Sequence, residues 1–530
     1  MQVITMIRIR QIKIDVKEYT YELLQEKAIK KLKINKNDII DFKINKKSID
    51  ARNKSQINYI FEIDIKLKNE NKIKQQKDII LIKEDIQKEP ISGTKKLENR
   101  VVVVGSGPTG LFCAYILAKY NYKPLVIERG EPTKERIKTV NKFWETGQLN
   151  EESNVAFGEG GAGTFSDGKL NTLIKDKNNI MKKAFQIFVE CGAPEEIMYI
   201  KNPHIGTDNL RKVIVNMRNK IIDMGGEFRF NTKLTDINIE NDKLKNIILN
   251  NEEKVDCNNL VLAIGHSAKD TIKMLHDKGL KMSNKPFAVG LRIMHNQKTI
   301  NENQYGTYAP YLPPASYKLT HVTKNNHGVY SFCMCPGGYV VNSSSEKNKL
   351  VINGMSNYKR DSGTSNSAIV VTINENDYGT KLFDGLKFQE TLEQKTYKIG
   401  KGNIPIQNYL DFKNNKQSKT INKIPKTIKG KYQNANLREI FPDYINDALI
   451  EGIDYFGTKI KGFNNDNTLL LGVESRTSSS IKIYRDETKQ SNIKGIYPAG
   501  EGAGYSGGIT SSALEGILLA YELINLYKPF

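Results

Sequence analysis

Residues 100–110 read Arg100-Val-Val-Val-Val104-Gly105-Ser106-Gly107-Pro108-Thr109-Gly110. An uninterrupted β-branched run is the pattern of a strand buried on both faces of a parallel sheet. The glycines follow at once, and Leu111 to Tyr120 then carries a helical pattern. Three glycines at this spacing are a weak signal alone; between a buried strand and a helix each has a task. Gly105 permits the tight turn, Gly107 lets the backbone approach a pyrophosphate, and Gly110 lets the helix pack against the strand. Pro108 and Thr109 open that helix, whose free N–H groups and partial positive charge face the phosphates. A second strand, Pro124 to Ile127, ends at Glu128, about 20 residues on, where an acceptor for a ribose hydroxyl is expected. The stretch predicts a dinucleotide site. The Glu128 carboxylate would repel a 2′-phosphate, which leaves FAD or NAD. Arg129 and Arg136 complete the cofactor-binding candidates nearby.

Working outward toward the N-terminus, residues 1–90 read as a separate small module. Arg8 to Ile14 alternates as a half-buried strand, and Tyr19 to Leu32 places Leu23, Leu24, Ala28, Ile29 and Leu32 at helical spacing. Asp38 to Ile44, Tyr59 to Leu67 and Ile79 to Ile82 are further strands, so a small α+β sandwich with one open sheet face is expected. Residues 91–99 read as a linker, and 100–279 as the first part of the nucleotide-binding domain. Within it, a helix is expected from Asp208 to Met224, capped by Thr207 or Asp208. A strand pair follows, Phe228 to Ile239 and Lys245 to Leu249, turned at Asn241-Asp242, and then a buried strand, Leu260 to Ile264. The strand-rich residues 280–462 read as an inserted substrate domain, and 463–530 return to α/β texture as the C-terminal part of the nucleotide-binding domain. The fold class is α/β: a Rossmann-like domain with an inserted α+β domain and an N-terminal α+β module.

The second glycine cluster chooses between the two dinucleotides. Ile496-Tyr-Pro-Ala-Gly500-Glu501 ends a strand on a glycine and an acid, and Gly504-Tyr-Ser-Gly507-Gly508-Ile509 leads into a helix, Thr510 to Leu523. This resembles the C-terminal flavin motif of FAD-dependent reductases of the glutathione-reductase and fumarate-reductase type. The resemblance implies that the strand-end acid bonds the ribityl chain and that the helix start faces the flavin pyrimidine; here the acid is Glu501, one methylene longer than the usual Asp. A helix N-terminus there stabilises the negative charge of reduced flavin. Leu260-Val-Leu-Ala-Ile-Gly265-His266 resembles the segment closing the first half of such domains, and Leu234 falls where they place an adenine-contacting backbone. Asn154 to Lys169 is a dense glycine loop whose Gly160, Gly161 and Gly163 bring N–H groups toward phosphates or the flavin edge; a surface loop is the alternative. The strings Gly158 to Leu170, Phe287 to Arg292, Tyr330 to Gly338, Gly472 to Ser479 and Pro498 to Gly508 resemble a bacterial family of "uncharacterised FAD-dependent dehydrogenases" with plastid relatives. That family implies FAD and the two-domain core, and supplies no substrate.

For substrate chemistry the sequence offers Cys333 and Cys335, Arg292 and Arg476. A Cys-Met-Cys pair beside Pro336-Gly-Gly338 reads as an exposed thiol pair near the flavin or as two reduced cysteines on one face of a strand. Arg292 and Arg476 are candidates for an anionic substrate or the far flavin edge. His295 reads as a hydrogen-bonded structural histidine. No second GxGxxG follows a later buried strand, so NAD(P)H enters the reading as a transient electron donor. No metal-ligating set is present at a recognised spacing, and no metal is expected.

Composition sets the remaining bounds. The 530 residues carry a net charge of +21 and five cysteines. So few cysteines, odd in number, imply no disulfide framework and fit a reducing compartment. No signal peptide and no 18-residue apolar window are read, so a cytoplasmic protein with no membrane span is expected. The positive charge has two readings: a Lys- and Asn-rich coding bias, or attraction to phosphates. The first hundred residues hold 24 basic and 15 acidic side chains, an excess of +9. Two alternatives to a FAD-dependent oxidoreductase acting on a small molecule therefore stand: a flavoprotein that grips RNA through its N-terminal module, and a non-catalytic FAD-binding protein.

Overall fold

Five short strands fix the architecture, four of them buried on both faces and the fifth, Glu227–Arg229, a half-buried edge. In the computed structural model, which describes residues 5–69, 73–83, 89–172, 174, 179–421 and 424–530, they form one parallel sheet. Its order is Ile496–Pro498, Leu260–Leu262, Val102–Val104, Leu125–Ile127, Glu227–Arg229. Alternate residues of each strand serve different cores. Val103, Val126 and Val261 pack beneath the helices Pro108–Lys119, Ile180–Glu190, Thr207–Asp223 and Ile509–Leu526. Val102, Val104, Ile127 and Leu262 pack on the other side, under the antiparallel strands Leu234–Glu240 and Lys243–Leu249 and the helix Lys269–Asp277. The result is the three-layer α/β arrangement expected of a near-continuous hydrophobic strand set.

Two local expectations change here and one holds. The strand read as Phe228 to Ile239 is two strands in two sheets, broken at Asn231, which takes a left-handed φ of 52°. Asn241 and Asp242 do form the hairpin turn, both with positive φ. The helix from Thr207 has no side-chain cap: Thr207 Oγ1 donates to the Thr164 carbonyl, and Asp208 Oδ1 accepts from the Tyr358 amide. Both side chains are spent tying the helix start to other segments.

The inserted domain is built on a seven-stranded sheet. Its order is Thr320–Val322, Gly328–Cys335, Thr364–Ile373, Phe287–Asn296, Leu469–Glu474, Ile404–Asn408, Tyr432–Asn434, packed against the helix Asp443–Lys459. Leu469–Glu474 pairs with Phe287–Asn296 in the middle of this sheet, so the segment assigned by texture to 463–530 contributes a strand to the insertion. The chain crosses between domains where Met282–Asn284 pairs with Ile481–Ile483.

The N-terminal module is a four-stranded antiparallel sheet, order Ile39–Asp50, Asn58–Leu67, Thr5–Asp15, Ile79–Lys83. The helix Tyr21–Leu32 covers one face, capped by Thr20. A bulge at Gln11, φ 57°, keeps Ile7, Ile9, Ile12 and Ile14 all buried despite the odd step in their spacing. The module docks on both other domains: Lys47 pairs with Tyr199 and Lys201 through backbone bonds, and Tyr308 donates to Asp15. Residues 91–99 are no free linker. Gly93 and Lys95 donate to Ile524 and Leu526, and Leu97 is buried.

The C-terminal helix comes nearest to the apolar window that was not expected, with Glu515 and Glu522 inside its 18 residues. Ile509–Leu526 has a mean hydropathy of 1.2 and is long enough to cross a membrane. Here it is a core helix that crosses Pro108–Lys119 at Gly516. A Cβ at that position would collide with the Thr109 carbonyl and approach the Cys113 nitrogen to 2.9 Å. Gly516→Val is expected to destabilise the protein by roughly 1–3 kcal/mol through overpacking, seen as a lower urea midpoint. Gly507→Ala, whose added carbon meets nothing within 4 Å, is expected to leave that midpoint unchanged.

Candidate functional site

The helix crossing at Gly516 brings two helix starts to one cavity of about 420 Å³. Pro108–Lys119 begins after Gly107 and Ile509–Leu526 begins after Gly508, and neither cap residue has a side chain to bond the first-turn amides. Those amides are left for a ligand. Gly105, Gly107, Pro108, Thr109, Gly500, Glu501, Gly507, Gly508 and Ile509 all stand on the cavity wall. At Gly265 and Gly507 the space a side chain would fill is open to 4 Å, and at Gly107 the nearest atom is the Gly161 Cα at 3.9 Å. Leu234 lines one end, beside Thr232 and Lys233. Leu234 and Arg129, Gly105 to Thr109, and Gly500, Glu501 and Gly507 to Ile509 thus share one wall, whose open glycine positions and free first-turn amides fit a dinucleotide.

Glu128 has more to do than the sequence showed. It is 5% exposed on the wall. Its Oε2 accepts from the Ser106 amide at 2.9 Å and the Ser106 hydroxyl at 2.7 Å, and its Oε1 accepts from the amides of Gly130 and Gly158, both at 3.0 Å. Four donors occupy the roughly four lone-pair sites of a carboxylate, so Glu128 staples the phosphate turn, its own strand end and the glycine loop into one cradle. Arg136 holds the loop from behind. It is fully buried and donates to the carbonyls of Asn154, Val155 and Glu159. The expected cofactor contact at Arg136 is therefore corrected to a supporting one. Gly160 is likewise off the wall, its amide bonded to the Ser106 carbonyl; Gly161 and Gly163 reach the cavity. Gly110 packs the helix against Val103, and Arg129 is on the wall, paired with Glu152 and Asp270 over the Phe157 ring.

The opposite wall belongs to the inserted domain: its seven-stranded sheet contributes Phe332, Cys333 and Glu474, the strand Ile352–Ser356 of a separate three-stranded sheet contributes Asn353, and the turn after Glu474 contributes Arg476 and Thr477. The same-face expectation for the cysteines fails. Pairing slips between Phe332 and Cys335 and Cys333 takes φ 44°, so Cys333 reaches the cavity while Cys335 is fully buried. Pro336-Gly-Gly338 is buried too, the Gly337 amide bonded to Gln297. A hydrogen bond from the Cys335 thiol holds Cys333 well below the ordinary thiol range, against burial and with help from the Lys169 and Arg292 charges. The same bond, with burial, raises Cys335.

Arg292 is corrected most sharply. It is 0% exposed and bonded to Glu474, Asn366 and Asn353, with Nη1 3.4 Å from the Cys333 carbonyl. No donor face remains for a substrate; the guanidinium positions the groups that do face the cavity. Burial pushes Glu474 up to about 7, opposed by Arg292. Arg476 reaches the wall with its donors committed to Glu393, Ser345, Ser267 and Glu346. His295 is buried and bonded to the Phe463 carbonyl, as read.

Lys169, Asp167, Glu474 and His266 are wall residues that lie within the quoted strings but are not among the expected site residues. Burial works against the Asp167 charge, but Lys169 and Arg360 hold its carboxyl below the ordinary range. His266 Nδ1 lies 3.5 Å from Glu501. An alternation count along Leu469–Glu474 would have marked Glu474 as a charge inside an apolar strand, the one signal available for these four.

Three regions match family models. Residues 286–477 match an FAD-dependent protein, C-terminal domain-like family, residues 103–135 an NAD(P)-binding Rossmann-like domain, and residues 6–94 a domain of unknown function. An uncharacterized protein of Clostridium beijerinckii (strain ATCC 51743 / NCIMB 8052) is 44% identical over 98% of this chain and 99% of its own length. Similar solved structures include glycine oxidase from Bacillus cereus ATCC 14579, at 11% identity, 81% of this chain, 95% of that chain and a TM-score of 0.33. L-proline dehydrogenase from P. horikoshii is 12% identical, with 82% and 94% covered and a TM-score of 0.33. CtdE in complex with FAD is 11% identical, with 80% and 84% covered and a TM-score of 0.32.

The staple at Glu128 generates a specific expectation. Glu128→Gln puts an amide N–H₂ against donors, so it should lower folding stability by roughly 1–3 kcal/mol and weaken FAD binding together. Urea unfolding of the FAD-free protein separates this from a contact to ribose alone, which would weaken binding and leave the free protein's stability intact.

Proposed function

This chain belongs, with the Clostridium beijerinckii protein, to a family of FAD-dependent proteins, and from that premise we propose that it is an oxidoreductase that transfers hydride through bound FAD to or from a small-molecule substrate. The observation that carries the reading is a single cavity with both glycine-cradled helix starts on one side and Cys333, Glu474, Lys169 and Arg476 on the other. Bound FAD supplies two-electron transfer. The chain's own residues do the rest. The first-turn amides of Ile509–Leu526 offer partial positive charge where negative charge gathers on reduction. The inserted sheet closes the cavity and presents the substrate wall. Glu474, raised by burial toward neutrality, can hold or release a proton there, and Arg292 fixes its orientation at 2.8 Å. Lys169 gives the wall a positive charge suited to an anionic group on the substrate, while Arg476, its donors taken by Glu393, Glu346, Ser345 and Ser267, holds that wall in place.

The electron donor is a nicotinamide nucleotide that docks transiently at the same cavity. Anaerobic mixing of the purified, FAD-supplemented protein with NADH and then NADPH is expected to bleach the flavin absorption with one of them. Protein that retains no flavin absorption after FAD is supplied would falsify the cofactor site. Flavin that stays oxidised with both nucleotides would sink the nicotinamide donor and favour a non-catalytic FAD-binding protein.

A further inference from the structure

Two thiols stand at the substrate wall, and they differ in each property that governs exchange chemistry. Cys333 lines the cavity beside Phe332. Cys335 is fully buried behind it, two residues along the chain, its Sγ donating to the Cys333 carbonyl at 3.3 Å. Both are free thiols. Lys169 Nζ donates to the carbonyl of the intervening Met334, and Arg292 Nη1 lies 3.4 Å from the Cys333 carbonyl, so two cations flank the pair. An accessible thiol in a positive setting is a nucleophile, and a buried neighbour within reach of it is a resolving group. The left-handed turn at Cys333 produces this arrangement. In a regular strand both sulfurs would point the same way, one residue pair apart.

We propose that Cys333 and Cys335 work as a dithiol–disulfide couple that reduces a small disulfide held in the cavity. The Cys333 thiolate attacks one sulfur of the substrate disulfide. A bond forms between Cys333 Sγ and that sulfur, the substrate S–S bond breaks, and the other half leaves as a thiolate. Cys335 then gives up its proton to that thiolate, and its Sγ attacks Cys333 Sγ. The Cys333–Cys335 bond forms and the second half of the substrate leaves as a thiolate. Two electrons pass from the pair to the substrate, which ends as one thiol and one thiolate. Restoring the dithiol takes a two-electron donor in the same cavity, and there the inference rests on the FAD reading; the exchange itself does not.

The other cysteines do not compete. Cys113, Cys191 and Cys257 are buried, and burial raises all three. The FAD-loaded protein, reduced with dithiothreitol and desalted without oxygen, is mixed with 4,4′-dithiodipyridine and the fast release of 4-thiopyridone is counted. About two equivalents per chain are expected from the native protein, about one from Cys335→Ser or Cys335→Ala, and none in the fast phase from Cys333→Ser. The mass of the native peptide spanning both residues is expected to fall by two hydrogens. Equal release from the native protein and Cys335→Ala, or fast release that survives Cys333→Ser, overturns the couple. Flavin absorbance of the same samples reports the cofactor site separately, so loss of FAD and loss of exchange are read independently.

Discussion

The close approach of two helices at Gly516 is the constraint on which the site depends. The backbone of the C-terminal helix rests directly on Thr109 and Cys113, and no residue with a side chain fits between them. That contact sets the separation of the two helix starts, and with it the span of ligand they can hold together. Gly500 adds to the same joint, because a Cβ there would press on the Thr109 hydroxyl at 2.5 Å. The two halves of the cradle are thus positioned by close contacts at Thr109, which leaves little room for adjustment. The Glu128 carboxylate then locks the third segment, the glycine loop, to the same frame.

On the facing wall the organising quantity is charge. Arg292 and Glu474 are buried side by side, as are Arg476 and Glu393. Removing either member of such a pair strands its partner in a low-dielectric site. Arg292, Glu393 and Arg476 are taken up within these pairs, and they fix the segments that carry Cys333, Asn353 and Thr477. The site is therefore a nucleotide cradle facing a charged, pre-ordered sheet; the chain passes between them where Met282–Asn284 pairs with Ile481–Ile483, and bonds such as Lys169 to Met334, Arg360 to Asp167 and Trp144 to Asn342 tie the two together.

Much of the cradle was legible because its chemistry is local. A valine run, three glycines and a strand-end acid all lie within thirty residues, and each demands a residue type that few other contexts require. Leu234, Gly265 and the Gly500–Ile509 segment were legible by resemblance, and all reach the wall. Failures came where contacts are distant in sequence. Nothing near Arg136 announces that its guanidinium will serve three carbonyls of the 154–159 loop, and nothing near Arg292 announces Glu474, 182 residues away. The Cys333 bulge was invisible for a different reason: strand periodicity assumes regular pairing, and a one-residue slip reverses which side chain faces the cavity. Texture also misplaced Leu469–Glu474, since a buried strand looks alike in either domain.

The central sheet is interrupted in sequence. Val102–Val104 and Leu260–Leu262 are separated from Ile496–Pro498 by the whole inserted domain. At about 5–20 residues per second of synthesis, a ribosome exposes the first two strands on the order of tens of seconds before the third arrives. During that interval the Leu260 strand is an open hydrophobic edge, and half of the cradle has no partner. Order of emergence thus makes nucleotide capture a late event in the life of the nascent polypeptide, after most of the insertion has left the ribosome.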